Sequence, residues 1–283
     1  MARFTNQAQL AYRNRITTSN IAVGEILEVL SAAKHAVVET YESYDVITYV
    51  ISLVNSGTTA LTGLVLTDNL GSYTFNETSL FPLQYVANSL KYYVNGVLQT
   101  SPVIASQEPL QIEGISIPAQ GNAVVIYQAA LTQFAPSATN STITNQAVIS
   151  GTGISSITVE ETISALAEPI LNITKSISPV PVTENGALTY TFVIENRGNV
   201  PADPVDLIVI TDQFNPILSD LTVTFNGTAW AEGTQYTYDQ TTGLFTTKAG
   251  EITVPAATFT QNADTGAWSV IPGTSTLVIT GTV

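Results

Sequence analysis

The stretch Leu188-Thr189-Tyr190-Thr191-Phe192-Val193 places an apolar or aromatic residue at every second position, with threonines between them. A period of two indicates a strand with one buried face, and β-branched and aromatic residues favour that conformation. An earlier run, Val46-Ile47-Thr48-Tyr49-Val50-Ile51, carries a similar pattern. Both runs lie between segments rich in Gly, Pro and Asn, which predicts an all-β protein.

The composition narrows the functional classes. The chain has 283 residues, of which 45% are hydrophobic and 11% are charged, and this length is enough for two domains. It contains no cysteine and one histidine, so disulfides and thiolate metal sites are excluded and histidine-based catalysis has little support. The net charge of −14 argues against nucleic-acid binding. We therefore expect no cofactor, no metal and no enzymatic turnover.

The chain contains an internal repeat. Each copy has a lysine, then Thr-Tyr, then Asn-x-Gly, then Thr-Asp, and the lysine-to-tyrosine interval is 15 positions in both copies. The matched residues are Lys34, Tyr49, Asn55 and Asp68 in the first copy and Lys175, Tyr190, Asn196 and Asp212 in the second. This spacing predicts two tandem Ig-like β-sandwich domains, residues 31–168 and 169–283, preceded by an N-terminal segment, residues 1–30.

The two copies differ at their ends. The first copy continues with two further predicted strands, and the second reaches Val283 without a counterpart to them. In the N-terminal segment, residues 4–11 resemble residues 143–150, with Thr-Asn-Gln-Ala identical. We therefore expect the second domain to be incomplete and to be completed by an N-terminal hairpin. The predicted core-facing residues of this donor strand are Phe4, Asn6, Ala8 and Leu10.

The donor hairpin is expected to come from a neighbouring chain. Only about 6 residues connect it to the first domain, and they reach about 20 Å when extended, which is too short to cross a folded domain. Residues 1–15 carry three arginines and no acid, +3, so the remaining residues carry −17. Opposite charges would steer the segment towards an acidic acceptor. A solvated basic tail is the alternative that the sequence leaves open.

The motif around Lys175 also resembles a known family. The motif resembles the bacterial surface repeat called domain of unknown function number eleven. It is also similar to the isopeptide-forming domains of Gram-positive fimbriae. The residues that carry the resemblance are 175, 189–191, 195–198 and 210–212. In the fimbrial domains a lysine bonds to an asparagine with help from a buried acid. The resemblance implies Lys34, Asn145 and Asp68 within the first domain, and Lys175, Asp212 and the neighbour's Asn6 in the second.

The implied chemistry suits these residue types. A lysine attacks as a neutral amine, and burial lowers its pKa, while burial raises the pKa of an aspartic acid that could polarise the asparagine amide. Two alternatives remain at this point. A lysine on a strand is usually solvated, and Thr-Asp often ends a strand. Strand donation without a covalent bond is also possible.

The sequence thus predicts a self-assembling structural subunit that forms a head-to-tail homopolymer. The alternative is a monomeric surface adhesin or stalk, in which the insertion 228–270 with Trp230 and Trp268 binds a partner. The N-terminus has no apolar stretch typical of a signal peptide, and no apolar run is long enough to span a membrane. We expect an extracellular location on a cell or spore, reached by lysis of the mother cell. An anchor or tip protein cannot be named from the sequence.

Overall fold

The computed structural model describes residues 2–26 and 28–283, apart from the side chains of Ala2 and Ile26. It confirms the all-β prediction, since the only helical element in the described residues is a short 3-10 turn. By their internal contacts, these residues form two compact units. Of the described residues, the first unit comprises 2–26, 28–39, 44–132 and 143–163, and the second comprises 40–43, 133–142 and 164–283.

The N-terminal segment is a long antiparallel hairpin, and each of its two arms consists of two short strands. Its tip is the pair Arg13-Asn14, with φ of 42° and 66°, a left-handed conformation that asparagine tolerates and that matches the twist of a two-residue turn. All residues of the two strands nearest the tip are exposed. The hairpin consists of β1 (Ala2–Asn6), β2 (Gln9–Tyr12), β3 (Arg15–Thr18) and β4 (Ala22–Ile26), in which β1 pairs with β4 and β2 with β3.

An aromatic–glycine pair fixes the register of this hairpin. Phe4 on β1 lies directly opposite Gly24 on β4. The Phe4 ring covers the glycine so closely that a Cβ at position 24 would come within 2.2 Å of it. Glycine alone has no side chain to pack in a strand, and the ring supplies the missing cover. Phe4 nevertheless remains 55% exposed on its other side.

The remaining strands up to residue 165 are mostly antiparallel and form two larger sheets and one separate two-stranded sheet. They are β5 (Leu30–Ala36), β6 (Thr40–Tyr41), β7 (Val46–Asn55), β8 (Leu61–Asp68), β9 (Tyr73–Phe75), β10 (Thr78–Leu80), β11 (Leu83–Tyr85), β12 (Lys91–Val94), β13 (Val97–Gln99), β14 (Val103–Gln107), β15 (Leu110–Ile117), β16 (Asn122–Leu131), β17 (Thr142–Ser150) and β18 (Ile157–Ala165).

The two sheets of the first unit face each other as a β-sandwich. One larger sheet has the order β13-β12-β16-β7-β5, with β11 also paired to β16, and the other has β14-β15-β8-β17-β18. Strand β6 pairs with the last two residues of β18, and these residues belong to the second unit. Along β7 and β16 every second side chain is buried, as the alternating sequence predicts. The rings of Tyr49 and Tyr127 stack in this core with centroids 5.6 Å apart.

The second unit repeats the first of these sheets. Its strands and its 3-10 turn are β19 (Leu171–Ser178), β20 (Ala187–Asn196), η1 (Pro204–Asp206), β21 (Thr211–Gln213), β22 (Ser219–Phe225), β23 (Thr228–Trp230), β24 (Tyr236–Asp239), β25 (Leu244–Thr247), β26 (Thr258–Gln261), β27 (Trp268–Ile271) and β28 (Gly273–Thr282). The order β19-β20-β28-β22-β23 matches β5-β7-β16-β12-β13 strand for strand.

The second sheet of this unit is smaller. It has the order β21-β25-β24, and β26 pairs with β27 as a separate hairpin. In the first unit β8 has β15 on one side and β17 on the other, whereas β21 pairs with β25 alone among the described residues. A core of stacked rings compensates partly, with Phe214 against Tyr190 at 4.8 Å and near Tyr238 and Phe245.

The matched sequence motifs have structural roles. Asn55 and Asn196 are fully buried, and each accepts a hydrogen bond from the glycine N–H two residues later while donating to a backbone carbonyl four residues later. The pairs Asn95-Gly96 and Asn226-Gly227 form two-residue turns with both φ positive. Trp230, in the insertion 228–270, stacks on Phe225.

No helix in the described part of the chain is long and apolar enough to cross a membrane.

Candidate functional site

The first candidate site is built around Lys34 in the interior of the first unit. Lys34 lies on β5, opposite Ile51 of β7, and its alternation with exposed neighbours turns it towards the core. Its side chain has no exposed surface. The ammonium lies 4.9 Å from the centroid of the Tyr49 ring. A lysine buried to this extent needs a specific partner, because an isolated buried charge is costly.

That partner is Asp68, the last residue of β8. Lys34 Nζ donates to Asp68 Oδ2 at 2.6 Å, and the aspartate side chain is also fully buried. The other carboxylate oxygen, Oδ1, accepts a hydrogen bond from the Leu70 backbone N–H at 2.9 Å. The aspartate therefore has a fixed orientation that presents Oδ2 to the core.

Tyr127 and Asn145 complete the site from two other strands. The Tyr127 hydroxyl, on β16, donates to the same Asp68 Oδ2 at 2.5 Å. Asn145, on β17, is fully buried, and its Nδ2 donates to the Tyr127 hydroxyl at 3.4 Å. Its Oδ1 has no hydrogen-bond partner among the described residues. Buried amide oxygens are rarely left unpaired, so this oxygen is an exception within the buried cluster.

The electrostatics of the site follow from burial. Desolvation lowers the pKa of Lys34 below its ordinary value of 10.5, and the carboxylates of Asp68 and Glu161 oppose that shift only in part. Desolvation, together with the charge of Asp68, raises the pKa of Tyr127 well above its ordinary value. The Tyr127 hydroxyl therefore stays protonated and can donate a hydrogen bond to Asp68. The lowered lysine pKa brings the neutral, nucleophilic amine within easier reach.

The second candidate site has the same lysine and acid in a different environment. Lys175 on β19 donates to Asp212 on β21, but the two side chains are 38% and 19% exposed. The Lys175 ammonium lies over the rings of Tyr190, Phe192 and Phe214, with centroids at 4.3, 5.4 and 5.5 Å. The hydrogen bond and the three cation–π contacts hold the amine in position.

The second site lacks the tyrosine. In the first unit Tyr127 lies opposite Tyr49 across β16 and β7, and in the second Ile279 lies opposite Tyr190 across β28 and β20. Ile279 is therefore the structural counterpart of Tyr127, and it has no hydroxyl.

Strand β19 is exposed along its whole length. Its inward-facing residues match those of β5, yet Ile173 and Ile177 are 48% and 45% exposed. In the first unit, β17 and β18 extend the second sheet beside β8, and the Lys34–Asp68 pair beneath is sealed from water. The described residues of the second unit include no strand at the position of β17. The open Lys175–Asp212 pair lies at that uncovered position.

The predicted donor residues lie on the N-terminal hairpin. Phe4 and Asn6 are on β1, Asn6 pairs with Ala22, and Leu10 is on β2. Phe4 and Leu10 are 55% and 61% exposed. The residues that they resemble on β17 alternate inward and are fully or nearly fully buried; these are Ile143, Asn145, Ala147 and Ile149.

Lys34, Asp68 and Asn145 therefore meet in one buried cluster, and Lys175 meets Asp212. Sequence reasoning missed Tyr127. Its signal was its place opposite Tyr49, which only the pairing of β7 with β16 reveals. In the part of the chain that the structure describes, no group of three or more His, Asp or Glu side chains is placed to hold a metal ion.

Comparisons with known proteins give fold-level similarity only. No family model matches the chain, and no curated protein matches it. The resemblance to the bacterial surface repeat therefore stays a prediction.

Several solved structures match the chain at low identity and low TM-score. The chain is similar to the major pilin subunit BcpA of Bacillus cereus (9% identity, 96% of this chain, 73% of that chain, TM-score 0.36). It is also similar to the pilus backbone RrgB of Streptococcus pneumoniae (11%, 86%, 55%, 0.32), of which it spans about half the length. A third match is the collagen-binding subdomain of the Enterococcus faecalis surface protein ACE (8%, 50%, 97%, 0.30). At TM-scores this low, none of the matches assigns a function to this chain.

Proposed function

We propose that the protein is the structural subunit of an extracellular fibre on a cell or spore surface. The N-terminal hairpin of one copy adds to the open edge of β21 in the next copy. The observation that carries the proposal is the contrast between the two lysine–aspartate pairs. One is sealed in a complete sandwich, and the other is exposed where a strand resembling β17 would lie.

The occupant is a second copy of this chain because the hairpin has the required sequence. Residues 5–8 repeat the Thr-Asn-Gln-Ala of residues 144–147 on β17. The hairpin also exposes apolar side chains at the alternate positions that β17 buries. An unpaired sheet edge accepts such a strand through main-chain hydrogen bonds, and the side chains fill the core.

The pairing of β17 with β8 supplies the expected register. In the first unit Ala147 lies opposite Asp68 and Val148 opposite Thr67. The corresponding pairs between copies are Ala8 with Asp212 and Gln9 with Thr211. In this register Asn6 takes the place of Asn145, next to Lys175.

The first-unit cluster is suited to an isopeptide bond within the chain. The Lys34 ammonium passes a proton to Asp68, and the neutral Nζ attacks Cγ of Asn145. The Nζ–Cγ bond forms, and the second proton that Nζ loses as the amide forms ends on Asp68. The Cγ–Nδ2 bond breaks, and the nitrogen leaves as ammonia after taking up the first proton from Asp68. Tyr127 bridges Asp68 and Asn145 Nδ2, so it can relay that proton to the leaving nitrogen. Folding supplies the attack geometry, and each site reacts once.

The same reaction between copies would join Lys175 to the neighbour's Asn6, with Asp212 as the assisting acid. A head-to-tail contact of this kind does not close on itself, so it produces a filament. Burial of the pair by the incoming hairpin would create the apolar environment that the first unit already has.

The first experiment combines a denaturing gel with intact-mass measurement of the assembled protein. A ladder that survives boiling, with one ammonia lost per bond, is expected for the wild type. Asn6→Ala and Lys175→Ala should collapse it to monomer, whereas the controls Asn20→Ala and Lys248→Ala should retain it. A monomer with all its ammonia would contradict the bonds, and if it formed no filaments before denaturation, the monomeric adhesin would become the better hypothesis.

Strand donation itself is tested separately, because the chain has no native cysteine. A Gln9→Cys/Thr211→Cys variant is expected to form disulfide-linked multimers on oxidation. Thr246→Cys replaces Thr211→Cys in the control, because Thr246 lies on the opposite side of β21. A cross-linked monomer would show that the hairpin returns to its own chain, and absence of any cross-link would contradict strand donation.

A further inference from the structure

The two units differ by a short insertion beside the open edge. Asn55 Nδ2 binds the Thr59 carbonyl and Asn196 Nδ2 binds the Val200 carbonyl, which aligns these two positions. Gly63 and Leu207, each five residues before the site aspartate, both have positive φ, 66° and 51°. Between the aligned positions the first unit has residues 60–62 and the second has residues 201–206. The second unit thus has three more residues in this segment, which contains η1 (Pro204–Asp206).

This insertion carries exposed charge and exposed apolar surface together. Asp203 and Asp206 are both exposed, and Asp206 Oδ2 accepts a hydrogen bond from the Asp203 backbone N–H at 2.7 Å. The neighbouring Val205 and Leu207 are 84% and 63% exposed. A leucine in the left-handed region is unusual, and an apolar side chain held outward there has little to contact within its own unit. We name residues 203–207 the acidic turn.

The donor register brings the hairpin tip to this turn. In the first unit β17 runs along β8 as far as Ser150 opposite Val65, and Gly151 then lies against Leu64. The matching positions are Tyr12 of the hairpin against Ile208 of the acceptor. By extension of this register past the start of β21, the next residue, Arg13, would lie beside Leu207 and Asp206.

The charges at the two ends of this contact are complementary. Arg13 in the hairpin turn, Arg15 at the start of β3 and Tyr12 at the end of β2 are all exposed. The corresponding tip in the first unit, residues 151–156, contains no charged residue, and residues 60–62 contain none either. Within the first unit, the strand tip and the loop that it faces therefore carry no charge. In the proposed contact between copies, the donor tip carries arginines and the acceptor loop carries aspartates.

We propose that the acidic turn of one copy binds the arginine-bearing hairpin tip of the next, with Asp206 facing Arg13 and the exposed Val205 and Leu207 packing against Tyr12. This inference rests on the proposed strand donation and adds a second contact at its far end. The contact sets which hairpins dock and how quickly, because opposite charges accelerate encounter and like charges oppose it.

The test compares assembly rates of charge variants by light scattering at low salt. Arg13→Glu and Asp206→Lys are each expected to assemble about three- to tenfold more slowly than the wild type, since each replaces an attraction by a repulsion at an exposed site. The double variant Arg13→Glu/Asp206→Lys should recover most of the wild-type rate. In about 1 M salt the differences should largely disappear, because charges are then screened within about 3 Å.

Matched controls separate this contact from general charge effects. Lys248→Glu changes the net charge by the same amount on an exposed residue outside the hairpin, and Asp264→Lys changes an acid in another exposed loop; both are expected to assemble at the wild-type rate. An unchanged unfolding temperature of Asp206→Lys would show that η1 is intact. If that variant is destabilised, Asp206→Asn replaces it, because Asn removes the charge and keeps an oxygen that can accept the hydrogen bond from the Asp203 N–H.

The outcomes distinguish the two proposals. Normal assembly of Arg13→Glu and Asp206→Lys, with the Gln9–Thr211 cross-link intact, overturns the tip contact and leaves strand donation standing. Slow assembly of both single variants without recovery in the double variant also overturns the pairing. If the Gln9→Cys/Thr211→Cys variant without charge changes forms no cross-link, strand donation itself is overturned.

Discussion

Tyr127 and Asp68 are joined by a 2.5 Å hydrogen bond to the same carboxylate oxygen that binds Lys34. The tyrosine thereby links the acid to Asn145 Nδ2 on the opposite side. Within the first unit, Lys34, Asp68, Tyr127 and Asn145 therefore form one chain of hydrogen bonds, and in the proposed reaction removal of any member is expected to change both packing and chemistry.

Tyr127→Phe is expected to slow formation of the Lys34–Asn145 bond by about 10- to 100-fold, because it removes the proton path to the departing nitrogen. The rate is measured by refolding protein from inclusion bodies and following the loss of ammonia by mass. Tyr92→Phe is the matched control, since its hydroxyl binds the Ser116 backbone instead. Equal rates for Tyr127→Phe and the wild type would show that the hydroxyl is structural.

The bond between copies is expected to form at least about tenfold more slowly than the bond within the first unit. Ile279 occupies the position of Tyr127, so the hydroxyl that contacts the acid in the first unit has no counterpart at that position. The comparison uses a time course of the boiled ladder against the ammonia loss assigned to Lys34 by peptide mapping. Equal rates after filaments have formed would contradict a catalytic role for the tyrosine.

Asp68→Ala is expected to destabilise the first unit by about 3–5 kcal/mol, because it leaves the Lys34 ammonium buried without its partner. Denaturant unfolding is measured in an Asn145→Ala background, so that no bond obscures the result. Lys34→Met/Asp68→Leu should be less destabilised than Asp68→Ala alone. A loss of less than about 1 kcal/mol would mean that water reaches the lysine.

The unbonded first unit should gain stability as the pH rises towards about 10. Since the Lys34 pKa is lower in the folded state than 10.5, the unfolded chain holds more protons between the two values, and stability increases with pH there. At lower pH the lysine is charged in both states and its burial cost is fully present. Above about pH 10 the raised pKa of Tyr127 acts in the opposite direction, because the unfolded tyrosine then ionises first.

This pH dependence is measured by comparing Asn145→Ala with Asn145→Ala/Lys34→Met in denaturant at pH 7 to 10. The first should rise relative to the second. Parallel stability curves would contradict a lowered Lys34 pKa.

Local patterns predicted a large part of this molecule. The alternation in residues 188–193 predicted a half-buried strand, and β20 has that burial pattern. The repeat spacing matched Lys34 and Asp68 with Lys175 and Asp212, and in the structure the lysine of each pair donates a hydrogen bond to its aspartate. These successes share a cause, since strand periodicity and repeat spacing depend on neighbours in sequence.

The rest depends on contacts between distant strands. Tyr127 joins the site only because β16 pairs with β7 in one register, and a shift of one residue would turn it to the other face. The same register places Ile279 in the second site. The sequence also gives no measure of exposure, so the difference between the sealed and the open lysine required the assembled sheets.

The open edge of β21 has a consequence for how a fibre grows. Each added subunit would fill one cleft and present a new one, so the two ends of the filament would never be chemically alike. One end would display a free basic hairpin, and the other an acidic, apolar cleft that contains Lys175. A synthetic peptide of residues 2–26 should therefore stop growth at the cleft end alone. The fibre would be a polar filament, and an anchoring protein could bind one end selectively.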